Sequence, residues 1–204
     1  SSMNQARRSR DIVLFSLAVL LGAVSTSKSS TALRPAEAVV QDITGTASYS
    51  VGGTWQPLKK GVELSQGAII KTGADSTVDL LLHSSMTALR LTPNSSLRLD
   101  RLVEEAAFDR PVTETTLTLL TGSIAGTQRK LAAPSRFLVN VAGAVATIVG
   151  TEYHVRADGA VTVTSGTVSI NYNLPGNKGS VKVTVSTGSS FNPTTGQVVP
   201  TTPA

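Results

Sequence analysis

Gly150-Thr151-Glu152-Tyr153-His154-Val155, and the chain it opens as far as Ile170, decides the fold. Large apolar residues fall there at every second position: Tyr153 and Val155, Val161 and Val163, Val168 and Ile170. A period of two marks strands with one buried face. Glu152, His154 and Arg156 take the opposite face. A two-residue turn at Asp158-Gly159 opposes Val155 to Thr162 and breaks the apolar face. A three-residue loop, Ala157-Asp158-Gly159, opposes Val155 to Val161 and Tyr153 to Val163. Such a loop wants glycine in the left-handed conformation at its last position, where Gly159 stands. A second turn at Ser165-Gly166 opposes Val163 to Val168 and Val161 to Ile170, so pattern and turn length agree at both corners. Parallel solenoid coils satisfy the same alternation.

The rest of the chain follows this rhythm. Alternation and β-branched content predict strands over Ala68–Lys71, Thr77–Leu82, Ala88–Thr92, Ser96–Leu102, Thr116–Leu120, Arg136–Val141, Glu152–Arg156, Ala160–Thr164, Thr167–Asn171 and Val181–Ser186. The expected fold is all-β, a compact antiparallel sandwich or roll of short strands, with a β-solenoid-like stack as the alternative. A short helix over Leu99–Ala107 also fits, because Leu99, Leu102, Val103, Ala106 and Ala107 match helical spacing. Glu104–Thr115 is the most charged insertion, contains Pro111 and reads as an exposed loop. Gly188–Ala204 is Pro- and Thr-rich and reads as a fraying tail. The division is therefore 1–38 export signal and linker, 39–188 β domain, 189–204 tail.

Aromatic residues make up 4% of the 204, so Val, Leu and Ile must pack the core. The net charge of +5 is concentrated at the start, where Arg7, Arg8, Arg10, Lys28 and Arg34 face Asp11 and Glu37. The body is near neutral with scattered cations, which excludes a nucleic-acid footprint. The early arginines precede the apolar run Ile12–Val24. As a helix that run spans about 20 Å, short of a hydrocarbon core of about 30 Å. It reads as an export signal, with small-residue sites at Ser30-Thr31-Ala32 and Ala36-Glu37-Ala38; an uncleaved interfacial anchor is the alternative. With no cysteine, the exported chain has neither disulfides nor a lipidated cysteine, and its core must hold it alone.

The ordered motifs resemble the FecR-type domain of bacterial envelope proteins. Gly150-Thr151-Glu152-Tyr153-His154-Val155, with Phe137-Leu138-Val139 before it and Val161 to Val168 after it, matches that family's central pattern. Trp55 to Leu58, Gly61 to Leu64 and Gly67 to Gly73 match its N-terminal block, and Leu117 to Gly122 its middle. The resemblance covers roughly Gly45 to Gly188 and implies structural roles for Trp55, Gly61, Gly73, Gly150, Thr151, Tyr153, Val155 and Gly166. Departures stand at Ala68, at Val149 and at Val141 to Ala144. Regulatory members carry a cytoplasmic anti-sigma segment before a membrane helix. Only Ser1 to Asp11 precede the apolar run here, so the expectation is a free-standing domain without that segment.

No catalytic constellation stands out. Glu152 and His154 alternate on one strand face as two metal ligands could, yet no third ligand lies nearby in sequence, and His83 is remote. No nucleophile elbow surrounds any serine, and Gly150-Thr151 lacks the lysine and helix of a phosphate loop. Asp75, Asp79 and Asp100 read as scattered solvated acids, and Arg129, Lys130 and Arg136 as a modest basic patch. Trp55 reads as core beside Leu58 and Leu64 rather than as a lone sugar-stacking platform. The expectation is an exported, non-enzymatic module of the periplasm or cell surface, without cofactor or metal. Its partner is an envelope protein, a glycan or a second copy. The candidate contact loop carries Glu104, Glu105, Asp109, Arg110 and Glu114. The membrane is met only through the N-terminal segment where that stays uncleaved. The rival reading is a periplasmic sensor related to transmembrane regulators of sigma factors.

Overall fold

The computed structural model describes residues 32–82, 85–105, 111–174, 176 and 178–201. They form strands, with no helix among the described residues. In chain order these are β1 (Leu33–Pro35), β2 (Ala38–Thr44), β3 (Ala47–Val51), β4 (Thr54–Pro57), β5 (Glu63–Leu64), β6 (Ile69–Thr72), β7 (Thr77–Leu82), β8 (Thr87–Leu91) and β9 (Ser96–Glu105). There follow β10 (Val112–Thr121), β11 (Ser123–Gln128), β12 (Arg136–Val141), β13 (Ala144–Arg156), β14 (Val161–Asn173), β15 (Ser180–Ser186), β16 (Ser189–Asn192) and β17 (Gln197–Pro200).

The β13–β14 ribbon, 13 residues on each side, is the spine. Its C-terminal half on β13, residues 152–156, bonds to β11, and from there the sheet runs through β8, β7, β2 and β5. Residues 144–147 bond instead to β12, and from there the sheet runs through β10 and β9 to β1 and to the β6–β3–β4 meander. On the other side of the ribbon, residues 161–163 of β14 hold β16, and residues 167–173 hold β15. The molecule is thus two wings of one curled sheet, joined by a shared ribbon. Their inner faces feed a single core, with Leu80, Leu89 and Ile124 from one wing and Leu97, Leu117 and Phe137 from the other. Each such buried side chain stabilises the fold by roughly 1.5–3 kcal/mol.

The change of partner falls at the glycines. Between Val149 and Glu152 the register of β13 against β14 shifts, with Gly150-Thr151 facing the lone Gly166. Gly150 has φ +58° and Gly166 φ +88°. A Cβ on Gly166 would stand 2.6 Å from the Gly150 carbonyl oxygen and 2.8 Å from Thr151 Cγ2. This is a β-bulge, which bends and twists a ribbon so that its halves can enter different sheets. The conformation and the close approach both require glycine.

The all-β sandwich or roll agrees with the sequence reading, and the loop at Gly159 forms with Val155 opposite Val161 and Tyr153 opposite Val163. Several details differ. Ser165-Gly166 is not a turn, because β14 runs through it and β13 continues to pair beyond it. Leu99–Ala107 is not helical over its described part, since β9 extends to Glu105 and pairs along its length with β10. The segment Glu104–Thr115, expected as a loop, is strand at both ends of its described part, up to Glu105 and again from Val112, and residues 106–110 lie outside the described residues. One ladder, β10 with β12, is parallel. The linker ends before residue 38, because Leu33–Pro35 pairs with the end of β9 through backbone bonds that need no apolar signal. Gly188–Ala204 does not fray throughout: β16 and β17 form a hairpin anchored by Phe191, which is 1% exposed and meets Tyr172 edge to face at 5.4 Å. Residues 1–31, with the apolar run, lie outside the described residues.

Candidate functional site

The alternation that buries Leu80, Leu89 and Tyr153 turns their neighbours outward, and the registers align those neighbours in rows. Asp79 faces Arg90, Arg90 faces Ala125, Ala125 faces His154 and His154 faces Thr162 across successive strands. A second row runs Leu81, Ala88, Thr127, Glu152. Ala88 and Ala125 are the small members, so the outer face sinks between its polar margins. The result is a groove of about 630 Å³ across β7, β8, β11 and β13, reaching Gln41 on one side and Thr164 on the other.

One margin is an ion pair. Arg90 Nε donates to Asp79 Oδ1 at 2.6 Å and Nη2 to Oδ2 at 2.7 Å. This bidentate bond raises the Arg90 pKa further and commits both carboxylate oxygens, which leaves Asp79 poorly placed as a base. The other margin is His154. Burial lowers its pKa, and Arg156 two residues on lowers it further, so the ring is neutral at pH 7 and offers one donor and one acceptor. Glu152 adds an exposed carboxylate, and Thr127 and Thr164 add hydroxyls. Beneath the groove the Tyr153 ring lies over Gly126, where a Cβ would stand 2.4 Å from the tyrosine Cζ and Oη. Burial raises the pKa of this phenol, whose hydroxyl has no partner among the described residues. The groove offers hydrogen bonds and paired charge on a rigid floor.

The residues singled out by sequence do not gather here. Glu104 accepts from Arg34 Nε at 2.8 Å and Glu114 from Arg101 Nε at 2.7 Å, so two of the contact-loop acids are neutralised within the sheet. Glu105 pairs across strands with Leu33 and Val112 in register. Asp109 and Arg110 lie outside the described residues, as does His83. Among the described residues no three of His, Asp and Glu come together as metal ligands. Trp55 is not core. It stands 43% exposed on the edge strand β4, opposite Ser50, with Lys71 Nζ 4.2 Å from its ring centroid. Leu58 and Leu64 are buried without it. Gly61, in a turn at φ +82°, donates to the Val40 carbonyl at 2.8 Å, and Gly73 donates to that of Thr46 at 2.9 Å, one step beyond the β3–β6 ladder. Gly150, Thr151 and Gly166 are the bulge, and Tyr153 and Val155 are core. The motif that dominates the sequence is thus the bend of the spine, with the groove on its far face.

Sequence pattern alone joins Glu152 to His154, leaves Asp79 among scattered acids and gives Arg90 no role. A signal is nonetheless present. Asp79 and Arg90 both occupy polar positions in adjacent alternating segments, and a hairpin joining those segments brings them side by side.

The family model described as FecR protein matches residues 68–169, half of the 204-residue chain. Every groove residue named above except Gln41 falls inside that segment. Among solved structures, two crystal structures of a candidate anti-sigma factor from Parabacteroides distasonis ATCC 8503 are similar, at 15% identity and TM-score 0.47, and at 17% and 0.48. Each match covers 64% of this chain and 57% of the other, so the chain spans little more than half the length of those structures. Likeness at that level is no guide to function. No curated protein matches the sequence.

Proposed function

We propose that this chain, which belongs to the FecR family, is a non-catalytic recognition module that uses the Asp79–Arg90–His154 groove as its contact surface. The observation that carries the reading is the alignment of those side chains across adjacent strands of one sheet, around a floor of small residues. Loops are the usual contact sites of a β scaffold. Here Glu104 and Glu114 are engaged by Arg34 and Arg101, whereas the groove keeps a neutral imidazole, a free-standing carboxylate and hydroxyls turned to solvent. These groups fit hydrogen-bonded recognition of a polar ligand, an extended peptide or a glycan of the envelope. They lack a nucleophile with a base beside it, which covalent catalysis would need.

The placement in the envelope rests on the basic residues Arg7, Arg8 and Arg10 ahead of the apolar run Ile12–Val24. Among the described residues no helix is long and apolar enough to cross a membrane. A second reading makes the module the sensing half of a signalling system, with the occupant of the groove as its signal. It is favoured by the position of the groove inside the segment that matches the family.

The test is Ala125→Trp, which fills the groove floor from its solvent side. Wild-type and variant proteins of equal thermal stability are used to capture partners from envelope extract and from a panel of envelope glycans. Specific loss of a partner with the tryptophan supports the groove. Retention of every partner removes it. Substrate turnover that His154→Ala abolishes would overturn the non-catalytic reading.

A further inference from the structure

Among the described residues the sheet ends in strands bonded on one side only: β1, β4, β5, β15 and β17. An open edge invites another strand, and proteins blunt such edges with proline or by keeping them short. Here β1, β4 and β17 carry Pro35, Pro57 and Pro200, and β5 has two residues. The exception is β15, seven residues long and without proline.

Its bonding direction follows from the ladder. Leu174 N donates to Gly179 O at 2.9 Å and Thr187 N to Gly166 O at 3.0 Å, and these bonds bracket the β14–β15 register. Bonded pairs alternate along an antiparallel ladder. Val181, Val183 and Val185 therefore commit their backbone groups to β14. Ser180, Lys182, Thr184 and Ser186 direct theirs outward, and all four are exposed.

The strand reads Ser180-Val181-Lys182-Val183-Thr184-Val185-Ser186, close to a palindrome about Val183. We infer that β15 is a self-association edge, and that two copies pair antiparallel about a two-fold axis at Val183. In that register Ser180 faces Ser186, Val181 faces Val185 and Lys182 faces Thr184 of the second copy. The four outward residues meet one another, so every free backbone group finds a partner. Lysine never opposes lysine, which removes the usual charge penalty on such an edge. Val183 meets its own copy, and the 43% exposed Val181 is covered by a valine. An isologous contact of this kind closes on itself as a dimer rather than growing into a fibre. Beside the edge lies an apolar trough of about 340 Å³ between Tyr172, Val181, Val183 and the β16–β17 turn, along which the second row of valines would lie.

The experiment uses single cysteines in the full chain, which has none of its own. Val183 falls at a non-bonded position of the paired ladder, where Cα atoms stand about 4.5 Å apart, a separation that a disulfide spans. Val183→Cys should form an interchain disulfide under mild oxidation. Ser180→Cys should not, because the two copies of that residue lie at opposite ends of the pair. Sedimentation over a concentration series supplies the second readout. Thr184→Lys puts two like-charge pairs into the dimer and should weaken it about tenfold, whereas Thr184→Glu should tighten it several-fold. A monomer at every concentration, cross-linking by both cysteines or by neither, or equal association of the two Thr184 variants would overturn the inference.

Discussion

Gly159 and Gly166 sit at the two ends of the same short strand segment, both with positive φ, at +96° and +88°, and they do opposite things. At Gly159 the chain reverses. Arg156 and Ala160 close the ladder with a bond of 2.9 Å, and Gly159 donates to the Arg156 carbonyl at 3.0 Å. A Cβ there would first meet Pro193 Cβ at 3.3 Å and the Ala142 carbonyl oxygen at 3.5 Å. At Gly166 the chain runs straight on, with β13 on one side and the end of β15 on the other. A Cβ there would enter the backbone of Gly150-Thr151. The same backbone conformation therefore serves a buried turn packed beside Pro193, and a bulge where strands flank it on both sides. What distinguishes them is space, and space is set by neighbours distant in sequence.

That difference can be broken directly. Gly166→Val combines strain at positive φ with contacts under 3 Å against the Gly150-Thr151 segment, and should cost roughly 3–5 kcal/mol of stability. Denaturant midpoints measure it, and a loss under about 1 kcal/mol would mean that the bulge relaxes freely. The matching change at the turn, Gly159→Val, meets the same backbone strain with a looser first contact, 3.3 Å to Pro193, and should cost roughly 1–3 kcal/mol. If the two losses proved equal, local conformation and not packing would set both.

The pair also shows what the sequence makes legible. Alternation together with loop length is enough to set Val155 against Val161, because register is a local property once one face must be buried. The same logic at Ser165-Gly166 points to a tight turn, since apolar parity is preserved by a turn and by a bulge alike. The parallel contact of β10 with β12 leaves no mark on either strand. Edges are equally silent. Leu33–Pro35 and Gln197–Pro200 join the sheet through backbone bonds, which leave no apolar pattern in the sequence. The groove is half legible. Glu152 and His154 lie on one strand and share a face by parity alone, whereas Asp79 and Arg90 become neighbours only when β7 meets β8.

Trp55 sharpens the comparison from an edge. A buried tryptophan replaced by alanine costs about 3–5 kcal/mol, but this one is 43% exposed with Lys71 Nζ over its ring at 4.2 Å. Trp55→Ala should cost about 1–2 kcal/mol, and a double-mutant cycle with Lys71→Gln should return a coupling below about 1 kcal/mol. The wild-type emission should be red-shifted and open to acrylamide quenching. Blue, protected emission would put the ring back in the core.

The smallest effect belongs to the outer face of the ribbon's C-terminal half, where the turn and the groove meet. Burial, followed by repulsion from Arg156, holds the His154 pKa below its ordinary 6.5 in the folded state. The unfolded chain therefore takes up this proton first. Above the unfolded value both states are neutral at this site, and His154 adds no pH dependence. As pH falls below about 6.5 the proton uptake favours the unfolded chain, and stability declines until the folded ring also titrates. His154→Gln removes the titrating group and keeps hydrogen-bonding capacity. Unfolding free energies at intervals from about pH 7.5 to 5 should fall less steeply for the variant than for wild type, by less than either glycine substitution costs. The direction matters for recognition as well, because below its folded pKa the ring becomes a cation two residues from Arg156 and loses its acceptor. A ligand held by that acceptor should dissociate over the same interval. Identical pH profiles for wild type and His154→Gln would place the ring in contact with water, and the polar margin of the groove would then be Asp79, Arg90 and Glu152 alone.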